Sequence, residues 1–136
     1  MAARTTDLSG RGGTLLRFVY YWVPVIILCA FIFSTSSFPG KDIPSLFSHQ
    51  DILYHFAVYV ILALFFIRAL KNTGDRRTVL RLVFLTLVFG VAYAASDELH
   101  QLFTSGRSCD IFDLLTDSLG TLAGASAGGV YIKWRS

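Results

Sequence analysis

The sequence predicts an all-α, polytopic membrane protein with four antiparallel transmembrane helices and both termini on the cytoplasmic side. Three observations lead there. The chain of 136 residues is 54% hydrophobic and only 15% charged, with a mean hydropathy of +0.57, well above the usual range for a soluble domain. Its apolar residues fall into four segments, each close to the roughly 20 residues that a spanning helix needs, and none alternates with the period of two that a membrane strand would show. Its basic residues gather on alternate sides of those segments, as the positive-inside rule requires. A single domain, 1–136, uses the whole length.

The first helix is placed at about 16–37. Residues Phe18 to Gly40 carry no charged side chain, and Arg4, Arg11 and Arg17 precede them. The run exceeds the roughly 7–15 residues of a signal-peptide apolar region and ends in Ser34-Thr35-Ser36-Ser37 without an Ala-x-Ala site, so it reads as a retained span. The second helix is placed at about 52–70, the third at about 79–97 and the fourth at about 110–132. Between them lie Phe38 to Asp51 with Pro39 and Pro44, Lys71 to Arg77 around Asn72 and Gly74, and Leu102 to Cys109 around Gly106. Connections this short make sequence neighbours run antiparallel.

Orientation follows from charge. Arg4, Arg11, Arg17, Arg68, Lys71, Arg76, Arg77, Arg81, Lys133 and Arg135 are ten of the twelve Lys and Arg residues, and the predicted spans put all ten on one side. That side is cytoplasmic. The net charge of +3 therefore reports topology and anionic lipid contact, and nucleic acid is not an expected partner. Asp42, Asp51, Asp97, Glu98, Asp110, Asp113 and Asp117 belong to the opposite face.

Several of these acids reach into the membrane. Fifteen uncharged residues separate Arg81 from Asp97, and fifteen separate Asp117 from Lys133. That is about 23 Å of helix at 1.5 Å per residue, against a hydrocarbon core of roughly 30 Å. Helical spacing aligns Asp113, Asp117, Gly120, Gly124 and Gly128 on one stripe of the fourth helix. Small residues admit close helix approach, so that stripe is expected against protein rather than lipid. Gly90, Tyr93, Asp97 and either His100 or Gln101 share a stripe of the third helix, and Asp51, His55 and Tyr59 share one on the second. Three helices are thus expected to converge on one acidic pocket open to the extracytoplasmic side. Ionisable residues are costly in lipid and mark working sites.

These residues carry a resemblance. Asp51-Ile-Leu-Tyr-His55-Phe with Tyr59, then Ser96-Asp97-Glu98-Leu-His100-Gln101-Leu-Phe, Gly106-Arg107 and Asp113-Leu-Leu-Thr-Asp117-Ser-Leu-Gly120 resemble the VanZ-like family of small multi-pass membrane proteins, over roughly Val25 to Gly128. The combined motif is more specific than any piece of it. Two positions depart from the family's usual pattern: Ile52 stands where a basic residue is common, and Asp117 where many relatives have Asn. The resemblance implies a protein of the bacterial inner membrane related to one that confers teicoplanin resistance.

Read from the residues, the cluster admits three chemistries. His55, Asp97, Glu98, His100, Asp113 and Asp117 supply oxygen and imidazole donors suited to a divalent metal. Asp97, Glu98 and His100 are the candidates for acid–base catalysis on a lipid or lipid-linked headgroup. Asp51, His55, Tyr59, Gln101, Arg107, Asp113 and Asp117 are candidates for binding a membrane lipid, a cell-wall precursor or a lipoglycopeptide, with Arg107 as a bidentate clamp on a phosphate or carboxylate. Against all three stands a purely structural polar network, in which Arg107 pairs with Asp110 or Glu98 and His55 is a hydrogen-bonded packing residue. A small transporter is a further alternative, although no inverted repeat is visible, and a homo-oligomer is compatible with the sequence. His49 falls in a loop and is assigned nothing. Tyr20, Tyr21, Trp22 and Trp134 read as interfacial aromatics. Cys29 and Cys109 lie too far apart along the membrane normal to form a disulfide.

Overall fold

The computed structural model describes residues 8–39, 50–74 and 77–136, with side chains from residue 13 onward. Arg4, Asp7, Lys41, Asp42, Pro44, His49, Asp75 and Arg76 lie outside the described residues, as does the side chain of Arg11. Four helices make up the fold: α1 (Leu8–Ser36), α2 (Gln50–Thr73), α3 (Val79–Gln101) and α4 (Ile111–Trp134). Among the described residues there is no strand.

Helix ends follow local chemistry. Thr78 caps α3 through its hydroxyl, which accepts from the Arg81 amide. Asp110 caps α4 by accepting from the Phe112 amide, so α4 starts one residue later than the sequence suggests, with Asp110 as its cap. Helix α3 runs four residues past the expected 97, which makes the whole Asp97–Gln101 segment helical. Helix α1 begins well before residue 16, because a helix can continue past the apolar run that defines a span. Gly106 supplies the turn between α3 and α4 with a φ of 74°, a left-handed conformation that glycine adopts without penalty.

Helices α1, α2 and α3 are each long and apolar enough to cross a membrane. Helix α4 has 24 residues, roughly 36 Å at 1.5 Å per residue, but its small residues and acids dilute its apolar content. Its buried glycines explain that composition. A Cβ at Gly120 would lie 2.5 Å from the Phe56 carbonyl oxygen, and one at Gly124 would lie 2.5 Å from that of Val60. Gly128 sits against Ile67, Gly90 of α3 against Thr121, and Gly129 against Val83. The register is therefore fixed: α4 runs parallel to α2 and antiparallel to α3, and at Gly120 and Gly124 it lies so close to the α2 backbone that only glycine fits. This is the small-residue packing that replaces the hydrophobic effect as the source of helix association in lipid.

Helix α4 lies in the groove between α2 and α3, and α1 packs on the far side of that pair, mainly against α2. Phe66 and Phe89 stack at 3.9 Å in the middle, and Trp22 meets Phe66 edge-on. At one end of the bundle the Trp22 indole donates to Thr73 Oγ1, and the Arg68 guanidinium lies over the rings of Tyr20 and Tyr21. The start of α1, the end of α2, the start of α3 and the end of α4 share this basic end. Outward faces are apolar, including Leu16, Ile26, Phe84, Val88, Leu119 and Val130, as a bundle in lipid requires. Cys29 and Cys109 are both free thiols.

Candidate functional site

The opposite end of the bundle gathers the acids. Asp97, Glu98 and Gln101 come from the last two turns of α3, His55 and Tyr59 from the second and third turns of α2, and Asp113 and Asp117 from the first two turns of α4. The two helices that begin here direct their positive dipole ends toward the carboxylates. All members but Asp113 are buried: Asp117 is 0% exposed, Gln101 1%, Glu98 2%, Asp97 3% and His55 8%.

The internal bonds are specific. His55 Nδ1 lies 2.9 Å from Asp117 Oδ1, and its Nε2 lies 4.0 Å from Asp113 Oδ2. Asp97 Oδ2 accepts from the Ser36 hydroxyl at 2.7 Å and from Gln101 Nε2 at 3.3 Å. Glu98 accepts from Gln101 Nε2 through Oε1 and from the Asp110 amide through Oε2 at 2.8 Å, which ties the end of α3 to the start of α4. Among the described residues, His55 is the basic side chain that meets carboxylates, an ion pair when its imidazole is protonated, and no Lys or Arg pairs with a carboxylate. Among the described residues, three buried side-chain oxygens have no hydrogen-bond partner: Asp97 Oδ1, Asp117 Oδ2 and the Tyr59 hydroxyl.

The convergence of three helices expected from the stripes is therefore present, with two changes. The inner residues are closed off from solvent rather than lining an open pocket. The α3 stripe continues through Gln101, whereas His100 turns toward α1, where its ring stacks on Phe33 at 4.1 Å and its Nε2 lies 2.9 Å from Ser37 Oγ. The contacts of His100 are thus with α1, and it shares no hydrogen bond with Asp97 or Glu98. Asp51 is exposed but interacts electrostatically with Asp113 across α2 and α4, as does Arg107. Asp51, Asp113, Arg107 and His100 form a partly exposed rim above the buried cluster.

Arg107 pairs with neither Asp110 nor Glu98. It donates from Nε to the Phe38 carbonyl at 3.3 Å and from Nη2 to that of Thr35 at 3.5 Å, placing a cation on the negative dipole end and orphan carbonyls of α1. Replacing Arg107 with Gln is expected to cost about 1 kcal/mol. It should speed amide hydrogen exchange at residues 34–38 about fivefold; unchanged exchange there would rule out this capping role.

Ser36 is a member of the site that sequence reasoning missed. It belongs to the run Ser34-Thr35-Ser36-Ser37, read only as the end of a span. A hydroxyl at the last turn of a span, on the face toward α3, was the available signal. Among the described residues, no three His, Cys, Asp or Glu side chains are arranged to hold a metal ion.

Fold and site together define a class: a small helical membrane protein whose bundle encloses a carboxylate and imidazole cluster near one end. A family model described as VanZ/LLP1 matches residues 18–132, and the chain belongs to the VanZ/LLP1 family. No curated protein and no solved structure shows significant similarity to it.

Proposed function

We propose that this VanZ/LLP1 protein binds the headgroup of an envelope amphiphile at the acidic end of its bundle, and through it affects envelope properties or glycopeptide resistance. The amphiphile is a phospholipid, a lipid-linked cell-wall precursor or a lipoglycopeptide, and the membrane is the bacterial inner membrane with the acidic end facing outward. One observation carries the reading: a buried cluster of Asp97, Glu98, Gln101, Asp117 and His55 inside a bundle whose outer faces are apolar. Such groups are expensive in lipid, where a structural role alone would favour apolar packing. The rim of Asp51, Asp113 and Arg107 offers charges of both signs to a zwitterionic or anionic headgroup, with His55, Tyr59, Gln101 and Asp117 beneath it.

Native mass spectrometry of the detergent-purified protein tests this. Wild type is expected to retain a bound amphiphile that an Asp51→Asn, Asp113→Asn variant loses while keeping its thermal midpoint. Equal retention by the two proteins would overturn the reading.

A second reading is favoured by the His55–Asp117 contact. An imidazole held by a carboxylate at 2.9 Å, with its other nitrogen directed to the rim, is the arrangement of a general base. Acid–base work on a lipid-linked headgroup would then fall to His55 and Asp117. A His55→Gln protein that retains the amphiphile but no longer converts it to a product of different mass is the expected result.

A further inference from the structure

We propose that Asp97 Oδ1, Asp117 Oδ2 and the Tyr59 hydroxyl form a buried site for a monovalent inorganic cation, sodium, at the seam of α2, α3 and α4. Each of these oxygens is buried and unpartnered, on residues that are 3%, 0% and 1% exposed. The second oxygen of each carboxylate is already engaged: Asp97 Oδ2 by Ser36 and Gln101, and Asp117 Oδ1 by His55. Those donors fix the orientation of both carboxylates and leave one oxygen of each bare.

The residues that carry these oxygens share one region of the bundle. Tyr59 lies one turn after His55 on α2, and its Cβ is 3.2 Å from where a Cβ on Gly120 would stand, one turn past Asp117 on α4. Its ring is 6.5 Å from that of Tyr93, one turn before Asp97 on α3. Tyr59 interacts electrostatically with both Asp117 and Asp97, and the two aspartates interact with each other. One small ion held between these residues is the proposed partner of all three oxygens.

Charge and shape select the ion. Three buried carboxylates face a single imidazole, with no Lys or Arg paired to them among the described residues, so the seam attracts a cation. Divalent and transition metals prefer shells with more carboxylates or imidazoles, and among the described residues no such group of three exists. Two carboxylate oxygens and a neutral hydroxyl suit a monovalent ion instead. Their closure to solvent excludes a headgroup ammonium and favours an ion that can shed its water. The site lies below the rim proposed for the amphiphile and does not depend on that reading.

Equilibrium binding of radioactive sodium to the full-length, detergent-purified protein tests the site, with choline chloride holding ionic strength constant. Wild type is expected to bind one ion per chain saturably, and its thermal midpoint should rise with sodium chloride but not with choline chloride. Asp117→Asn should abolish the binding. Tyr59→Phe, which keeps the ring and the fold, should weaken it about tenfold through loss of one oxygen. The proposal is overturned by absence of saturable binding, or by sodium binding that Tyr59→Phe and Asp117→Asn leave unchanged. It is equally overturned by a thermal midpoint that follows pH and ignores sodium, which would assign the bare oxygens a shared proton. Bound amphiphile measured on the same samples separates failure of this site from failure of the rim.

Discussion

Replacing Asp117 with alanine is expected to destabilise the bundle by about 3–5 kcal/mol, the range for removing one partner of a buried ion pair. Asp117 is fully enclosed, and its Oδ1 is 2.9 Å from His55 Nδ1. Without it, a buried imidazole on α2 loses its closest partner and keeps only Asp113 at 4.0 Å. The loss is large against the 5–15 kcal/mol of total stability usual for a folded domain. Asparagine keeps the shape and a carbonyl oxygen for His55, so Asp117→Asn should cost only about 1 kcal/mol. A double-alanine cycle on His55 and Asp117 should show a coupling of about 1–3 kcal/mol. Thermal unfolding in detergent, followed through Trp22 and Trp134 fluorescence, measures all three. Equal small losses for alanine and asparagine, with no coupling, would mean that the two side chains do not act as a pair.

Much of this arrangement was legible in the sequence because membrane helices write their contacts periodically. Stripes at i, i+3 and i+4 placed His55, Tyr59, Asp97 and Asp117 at a common seam, and the Gly120-Gly124-Gly128 spacing named the face of α4 that meets α2. Periodicity stopped short wherever two residues straddled a stripe. From Asp97, both His100 at i+3 and Gln101 at i+4 lie near the same face, and only the position of α1, with Phe33 and Ser37 on His100, separates them. Burial was equally illegible: a stripe says which way a carboxylate points, not whether the neighbouring helices close over it. Arg107 sits in a connection with no period at all. Its use on the α1 carbonyls depends on the Gly106 turn and on where α1 ends, both long-range facts. The fourth segment was legible as a helix from its length and its lack of period-two alternation, although among the described helices it is less apolar than the other three.

The glycine seam carries the second large effect. A Cβ at Gly124 would stand 2.5 Å from the Val60 carbonyl oxygen and 2.8 Å from the Ala63 Cβ, groups held by the α2 backbone that cannot rotate aside. Gly124→Ala is expected to cost about 3 kcal/mol in forced separation, against a gain of about 1 kcal/mol in helix propensity, for a net loss of about 2 kcal/mol. Gly128→Ala meets a side chain instead, with Ile67 Cγ2 2.6 Å away. Ile67 is buried and its branched Cβ holds one rotamer in a helix, so the change should cost about 1 kcal/mol net, less than Gly124→Ala, and thermal midpoints of the two variants compare them directly. Gly120 lies closest to the site, with its would-be Cβ 2.5 Å from the carbonyl of Phe56, the residue after His55. Gly120→Ala should therefore push His55 away from Asp117 as well as part the helices. Combined with Asp117→Ala, it should cost less than the sum of the two single changes, because the first has already weakened the contact that the second removes. Strict additivity would instead mean that helix spacing and the His55–Asp117 pair are independent, and that the glycines serve the bundle without positioning its polar cluster.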